Sequence, residues 1–249
     1  MKKIVKIILL AVCLGVFCFS GYKIYQYLHE EKANKELNNK LIEKAVVENQ
    51  KTNVLEEDSQ AKNELPINVD FTALKQENED IVGWLYSENT QINYPVVQSE
   101  DNNYYLRRLI NGEYNIAGSL FMDYRNNSNL EDNNTIIYGH NMENDTMFGT
   151  LQEYKSQEYY DNHKVLYYFT QEKNYMIQLF AGYTISVESD IYDLSIIDES
   201  KIEESIQNSD FNSDVEVREE DKIMTLSTCA YEYDGARYII MGVLHEIKE

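Results

Sequence analysis

The hydrophobic pattern changes character several times along the chain. Apolar residues run almost unbroken from Ile7 to Phe19 and continue through Tyr22, Ile24 and Tyr25. Counted from Ile4 to Tyr22 the run is 19 residues, close to the roughly 20 that span a bilayer as a helix, and Lys6 can snorkel to the interface. Lys2, Lys3 and Lys6 flank it and favour a cytoplasmic amino terminus. This predicts a single-pass membrane anchor over residues 1–27, with the rest of the chain outside the cell. A cleaved signal peptide calls for small residues after the apolar run, and Phe17-Cys-Phe-Ser-Gly-Tyr22 offers them poorly. A lipoprotein signal at Cys13 or Cys18 is opposed by the bulky Val12 and Phe17 that precede them. Residues 28–65 are polar and rich in Glu, Lys and Asn. Leu37, Leu41 and Ile42 make one stripe, too thin for a core. A partly helical stalk or a disordered tether is expected there, holding a domain over 66–249 away from the membrane.

From Asp70 the pattern becomes that of a packed domain. Asp70 can cap a helix carrying Phe71, Leu74, Ile81, Val82 and Leu85 on one face, with Trp84 packed beside it. Gln91 to Gln98 alternates like a strand, and Pro95 suggests an edge or a bulge. Asp101 to Ile110 predicts a short helix, Ala117 to Met122 a strand, Asn134 to Gly139 a strand, and Met147 to Tyr154 a short helix. Lys164 to Thr170 and Tyr175 to Val187, rich in Tyr, Ile and Val, predict two more strands. Leu194, Ile197, Ile202 and Ile206 are spaced among Asp, Glu and Ser, and Asp198 to Gln207 predicts an amphipathic helix capped by Asp198 or Ser200. Lys222 to Thr228 and Ala236 to Leu244 form the last strands, joined through Asp234-Gly235, a strong reversal signal. Many short strands with a few helices between them give a mainly β fold, a barrel or sandwich decorated by helices.

The 249 residues carry a net charge of −21, and beyond residue 62 Asp and Glu outnumber Lys and Arg 35 to 12. Such a domain is a poor partner for nucleic acid or for an anionic lipid surface. The charge can help recruit an amine, and it also serves solubility. Cys229 is the single cysteine outside the anchor, so the domain has no internal disulfide. No metal-ligand spacing occurs, and neither a metal nor another cofactor is expected.

Cys229 closes an apolar β-branched strand, and a loop leads from it to Arg237 at the start of the partner strand. A thiol attacks as a thiolate, which a nearby fixed positive charge favours. Arg237 can supply that charge or hydrogen-bond an oxyanion. A cysteine nucleophile also needs a group to move protons near neutral pH, for which histidine is suited. Of the four histidines, His140 stands at a strand end that opens into the polar turn Asn141-Met-Glu-Asn-Asp145. His163 reads as an exposed turn residue and His245 as part of the last strand.

The stretches Tyr138-Gly-His-Asn-Met142, Met147-Phe-Gly149 and Thr225-Leu-Ser-Thr-Cys229, with Arg237 eight residues after the cysteine, resemble the sortase family. The order His, Cys, Arg is that family's, and the helical segment before the cysteine strand resembles class B. The likeness runs from about Pro66 to Leu244. It implies a closed eight-stranded β-barrel and a transpeptidase with His140, Cys229 and Arg237 as catalytic residues. Ser227, Thr228, Tyr138 and Asn141 would shape the substrate groove, which the 191–211 segment would wall. The implied substrates are secreted proteins with a C-terminal sorting motif, similar to Asn-Pro-x-Thr-x, and a peptidoglycan precursor or stem-peptide amine. Two other readings fit the residues: a membrane-tethered β-domain that binds wall or protein with Cys229 merely buried, and a cysteine hydrolase without transfer.

Overall fold

The computed structural model describes residues 2–49, 65–194 and 198–248. Part of the stalk, 50–64, and Ile197 of the predicted helical stripe lie outside the described residues. A single helix, α1 (Lys2–Ala45), opens the chain. Its first part is long and apolar enough to cross a membrane and is not buried against the rest of the chain. Its last turns do what a bare spacer would not: Leu41 is 1% exposed and joins Ala45, Leu74 and Trp84 in one apolar cluster, with Leu37 and Ile42 packed alongside. The thin apolar stripe is therefore sufficient, because it completes a cluster to which the helix at Phe71–Glu77 and the barrel strands contribute most of the side chains.

After α1, β1 (Val46–Glu48) pairs antiparallel with β2 (Ile67–Val69). Then α2 (Phe71–Glu77) begins where the Asp70 carboxylate accepts from Ala73 N at 3.0 Å. The helix ends earlier than the apolar spacing suggested. Asn78 takes an extended conformation, and Ile81, Val82 and Leu85 lie in β3 (Ile81–Tyr86). β-branched and aromatic residues at 81–86 favour extended backbone, and Gly83 passes so close to Tyr168 that a Cβ would lie 2.1 Å from its hydroxyl. Trp84 is fully buried and donates Nε1–H to Asn93 Oδ1 at 2.7 Å.

The remaining elements are β4 (Asn93–Val97), β5 (Leu120–Met122), β6 (Asn134–Tyr138), α3 (Gln157–Asn162), β7 (Val165–Phe169), β8 (Asn174–Ser186), α4 (Glu199–Asn208), β9 (Ile223–Cys229) and β10 (Ala236–Ile247). Pro95 sits in β4 beside a register shift in β3, outside the short β4–β5 pairing, so no ladder bond is lost to it. The short helices expected near 101–110 and 147–154 are 3₁₀ turns, Tyr105–Arg107 and Gly149–Lys155. Asp198 caps α4 by accepting from Lys201 N at 2.9 Å.

Eight strands close a barrel in the order β10-β8-β7-β3-β4-β5-β6-β9. The pairs β4–β5 and β6–β9 are parallel and the others antiparallel. Strand alternation sorts β9 and β10. Met224, Leu226, Tyr238 and Ile240 join one buried cluster, whereas Ile223, Ile239, Met241 and Val243 belong to a second, beneath α4. Cys229 and Arg237 follow the second set, on the outer face.

Candidate active site

The β9–β10 hairpin sets the first two candidate residues opposite each other. Cys229 and Arg237 are register partners, so on an antiparallel pair their Cβ atoms project from the same face. The turn closes at Gly235, which takes φ +77°, a conformation that L side chains rarely adopt. Cys229 is half-buried and its thiol is free.

β6 brings the third. It runs parallel to β9, with Tyr138 opposite Ser227. Past the strand, Gly139 squeezes between Leu120 and Phe148, where a Cβ would meet side-chain carbons at 2.4 and 2.6 Å. Residues on both sides of His140 are then tied to the thiol's strand. Thr228 Oγ1 donates to Gly139 O at 2.8 Å, and Asn141 Nδ2 donates to Cys229 O at 2.9 Å. Gln152 Nε2 supports the same carbonyl at 3.3 Å.

The imidazole of His140 donates Nε2–H to Leu106 O at 2.7 Å, which leaves Nδ1 as the ring's proton acceptor. Burial holds its pKa below the ordinary histidine value; the Arg107 charge acts in the same direction, and the Leu106 carbonyl opposes them. The ring is therefore neutral at pH 7. A histidine with a depressed folded pKa binds fewer protons than in the unfolded chain, so its contribution to stability is present above about pH 6.5 and is lost as pH falls through the lowered value. Titration of the His140 ring resonances by NMR is expected to give a midpoint below 6.5; a midpoint above 7 would contradict this burial.

The structure ties the other predicted residues into hydrogen bonds within the chain. Ser227 and Thr228 are buried. The Ser227 hydroxyl shares a 2.8 Å hydrogen bond with Tyr192, and the Tyr138 hydroxyl donates to Asp123 Oδ2 at 2.9 Å. These contacts add residues that sequence reasoning passed over. Tyr192 ends a 3₁₀ turn (Asp190–Tyr192) and its ring stacks on Tyr138 with centroids 6.1 Å apart. Burial pushes its hydroxyl up to about 12, while the Ser227 bond and Arg237 pull down and the Cys229 charge raises it. Tyr192 thus belongs to the thiol's surroundings. Asp123, completely buried, takes a two-pronged ion pair from Arg125, at 2.8 Å to each oxygen, and a further bond from Asn102. Arg125 also donates to Tyr192 O at 3.0 Å. The signal available in the sequence was slight: Asp123-Tyr-Arg125 follows a predicted strand, and Tyr192 lies in the segment that the family resemblance placed along the groove.

Comparison with known proteins decides the family. The Sortase domain family matches residues 85–245. The chain belongs to the sortase family. Sortase B of Listeria monocytogenes is 36% identical over 239 residues, covering 94% of each chain. Sortase B of Staphylococcus aureus is 32% identical over 252 residues, covering 100% of this chain and 98% of the relative. Among solved structures, sortase B from B. anthracis superposes with a TM-score of 0.73 at 31% identity, covering 88% of this chain and 100% of the other. These likenesses place it in class B, and sortases are cysteine transpeptidases of the cell envelope. The eight-stranded barrel expected from the resemblance is the one observed. The family's activity excludes a purely non-enzymatic binding domain.

Proposed function

We propose that this chain is a membrane-anchored class B sortase in which Cys229 is the nucleophile, His140 the proton carrier and Arg237 the cation at the reacting centre. The observation that carries the reading is the pairing of Cys229 with Arg237 across β9 and β10, with His140 bracketed by bonds to Thr228 and Cys229. Cys229 Sγ attacks the carbonyl carbon of a Thr residue in a C-terminal sorting motif of a secreted protein. The thiol proton passes to His140 and then to the leaving amine as the C–N bond breaks, giving a thioacyl enzyme. An amino group of a peptidoglycan precursor or stem peptide attacks the thioester. His140 takes that amine's proton and returns it to the departing thiolate. Arg237 either steadies the thiolate or hydrogen-bonds the oxyanion and the substrate backbone.

The bonds of Tyr138, Asn141, Ser227 and Thr228 support a shaping role: they hold the strand ends that floor the groove. The proposed division is an anchor over 1–27 with the amino terminus in the cytoplasm, a stalk over 28–65 and a catalytic domain over 66–249 outside. The class implies a motif similar to Asn-Pro-x-Thr-x.

Intact-mass spectrometry of the full chain in detergent micelles, with a library of Thr-containing sorting peptides, tests the reaction. A thioacyl adduct on Cys229 and cleavage after Thr are expected, with a ligated product once an amine acceptor is added. Cleavage that yields only free acid in the presence of the amine would make the chain a hydrolase. Ready alkylation of Cys229 with no adduct or cleavage across the library would overturn the assignment.

A further inference from the structure

α1 does more than connect. Over residues 26–45 its burial returns every three to four positions, at 26–27, 30–31, 33–34, 37–38, 41–42 and 45, so one stripe faces the barrel. From Leu37 onward that stripe contributes to the apolar cluster. Before and beside that apolar part the stripe carries polar groups with partners outside the helix. Asn38 Nδ2 donates to Asn93 O at 3.2 Å. The backbone carbonyl of Glu30 accepts from Asn115 Nδ2 at 2.7 Å, and its carboxylate accepts from Ile116 N at 2.9 Å. Asn34 Nδ2 lies 3.7 Å from Met147 Sδ.

The loops that Glu30 and Asn34 touch are the two that hold His140. Asn115 is buried and its N–H donates to Arg107 O at 3.0 Å, next to Leu106. Gly118, at φ +56°, lies so close to this turn that a Cβ would be 2.6 Å from Leu106 O. That same carbonyl receives His140 Nε2–H. On the other side, Met147 bridges Asn141, and Phe148 N donates to His140 O at 3.0 Å. Positions 30 and 34, one helical turn apart, thus touch both the loop that bonds the imidazole and the loop that bonds the backbone of His140.

We propose that Glu30 and Asn34 are positioning residues for His140, so that the helix continuing from the anchor is a working part of the active site. The inference rests on His140 serving as the proton carrier. It implies that a catalytic fragment starting after Asn38 lacks one wall of its histidine's support. A displacement of an ångström or less in a proton carrier lowers kcat more than substrate affinity.

The test uses the full chain in detergent micelles, with Glu30→Ala, Glu30→Gln, Asn34→Ala and, on the exposed face, Glu36→Gln as a control. Peptide-transfer kcat and KM, the NMR midpoint of His140 and the melting temperature are measured for each. Glu30→Ala and Asn34→Ala are expected to lower kcat about tenfold with KM within about twofold, and to move the His140 midpoint upward as its loops loosen. Glu30→Gln should recover most of the rate, because the carboxamide oxygen can still accept from Ile116 N. Glu36→Gln should match the unaltered chain. A lowered melting temperature with kcat and the His140 midpoint unchanged in both Ala variants would overturn the proposal. If Glu30→Ala fails to fold, Asn34→Ala decides by the same readouts. Full transfer by a His140→Ala variant would instead defeat the mechanism on which the inference rests.

Discussion

Replacing Cys229 with Ala is expected to remove thioacyl formation and peptide transfer together, a fall of roughly 10⁴-fold or more, since the proposed mechanism leaves the site no second nucleophile. None of the hydrogen bonds among the described residues uses the Cys229 sulfur; its carbonyl carries the bonds from Asn141 and Gln152. The substitution should therefore leave the melting temperature within a few degrees of the unaltered value. His140→Ala is expected to lower transfer by roughly 10²–10⁴-fold, the range for a positioned acid–base group. Arg237→Ala should lower it by about 10²–10³-fold. Arg237→Lys should restore little, because a point charge does not reproduce a fixed planar fork. The Cys229→Ala, His140→Ala double variant should be no slower than Cys229→Ala alone, as groups acting in one step are not additive. Initial rates by chromatography of the ligated product, beside thermal melts, check each value. Transfer surviving Cys229→Ala within tenfold would remove the thiol from the reaction.

How far the fold could be read from the sequence depended on how local its causes were. The β9–β10 hairpin was legible because β-branched strands flank Asp234-Gly235, and Gly235 does take the positive φ that such a turn needs. The α4 cap was legible for the same reason, one side chain bonding a backbone three residues on. β3 was misread as the continuation of α2. Ile81, Val82 and Leu85 fit a helical face when counted from Asp70, and only Gly83 and the run of aromatic and β-branched residues argued otherwise. The docking of α1 was not legible, since Glu30, Asn34 and Asn38 on an otherwise polar helix do not announce partners 55 to 113 residues away. The same applies within the site. Strand-end patterns and the family likeness singled out His140, Cys229 and Arg237. The Leu106 carbonyl carries no side-chain signature, and Asp123 and Tyr192 meet their partners only when the barrel closes.

Asp123→Ala is expected to be strongly destabilising for a change outside the apolar clusters, by about 1–3 kcal/mol, the range for leaving buried hydrogen-bond partners unsatisfied, since the Arg125 guanidinium left behind is 42% exposed and stays solvated. The carboxylate is inaccessible to solvent, yet it accepts from Arg125 Nε, Nη2 and N, from Asn102 and from Tyr138. Burial alone would raise its pKa; the bonds from Arg125, Asn102 and Tyr138 outweigh burial and hold the carboxyl below the ordinary carboxylate range. Its folded pKa therefore lies below the unfolded value of about 3.9. The stability it confers is present above that pH and is lost as pH falls through the lowered folded value. Without Asp123 the Tyr138 hydroxyl loses its acceptor, and Arg125, which also bonds Tyr192 O, loses its counter-ion. Tyr192, stacked on Tyr138 and bonded to Ser227, is then released from two of its supports beside Cys229 and Arg237. Transfer should consequently drop about tenfold even at low temperature where the variant stays folded, with the change mainly in KM, because the turn at 190–192 flanks the proposed groove and moves no proton. Asp123→Asn should fall between the two, keeping one oxygen acceptor while turning an amide donor toward Asn102 or Tyr138. Urea unfolding at pH 7 and at pH 4, paired with kcat and KM at 10 °C, separates the two effects. Unaltered stability in Asp123→Ala would show that the buried charge is dispensable, and loss confined to kcat would show that Asp123 acts through His140 and not through Tyr192.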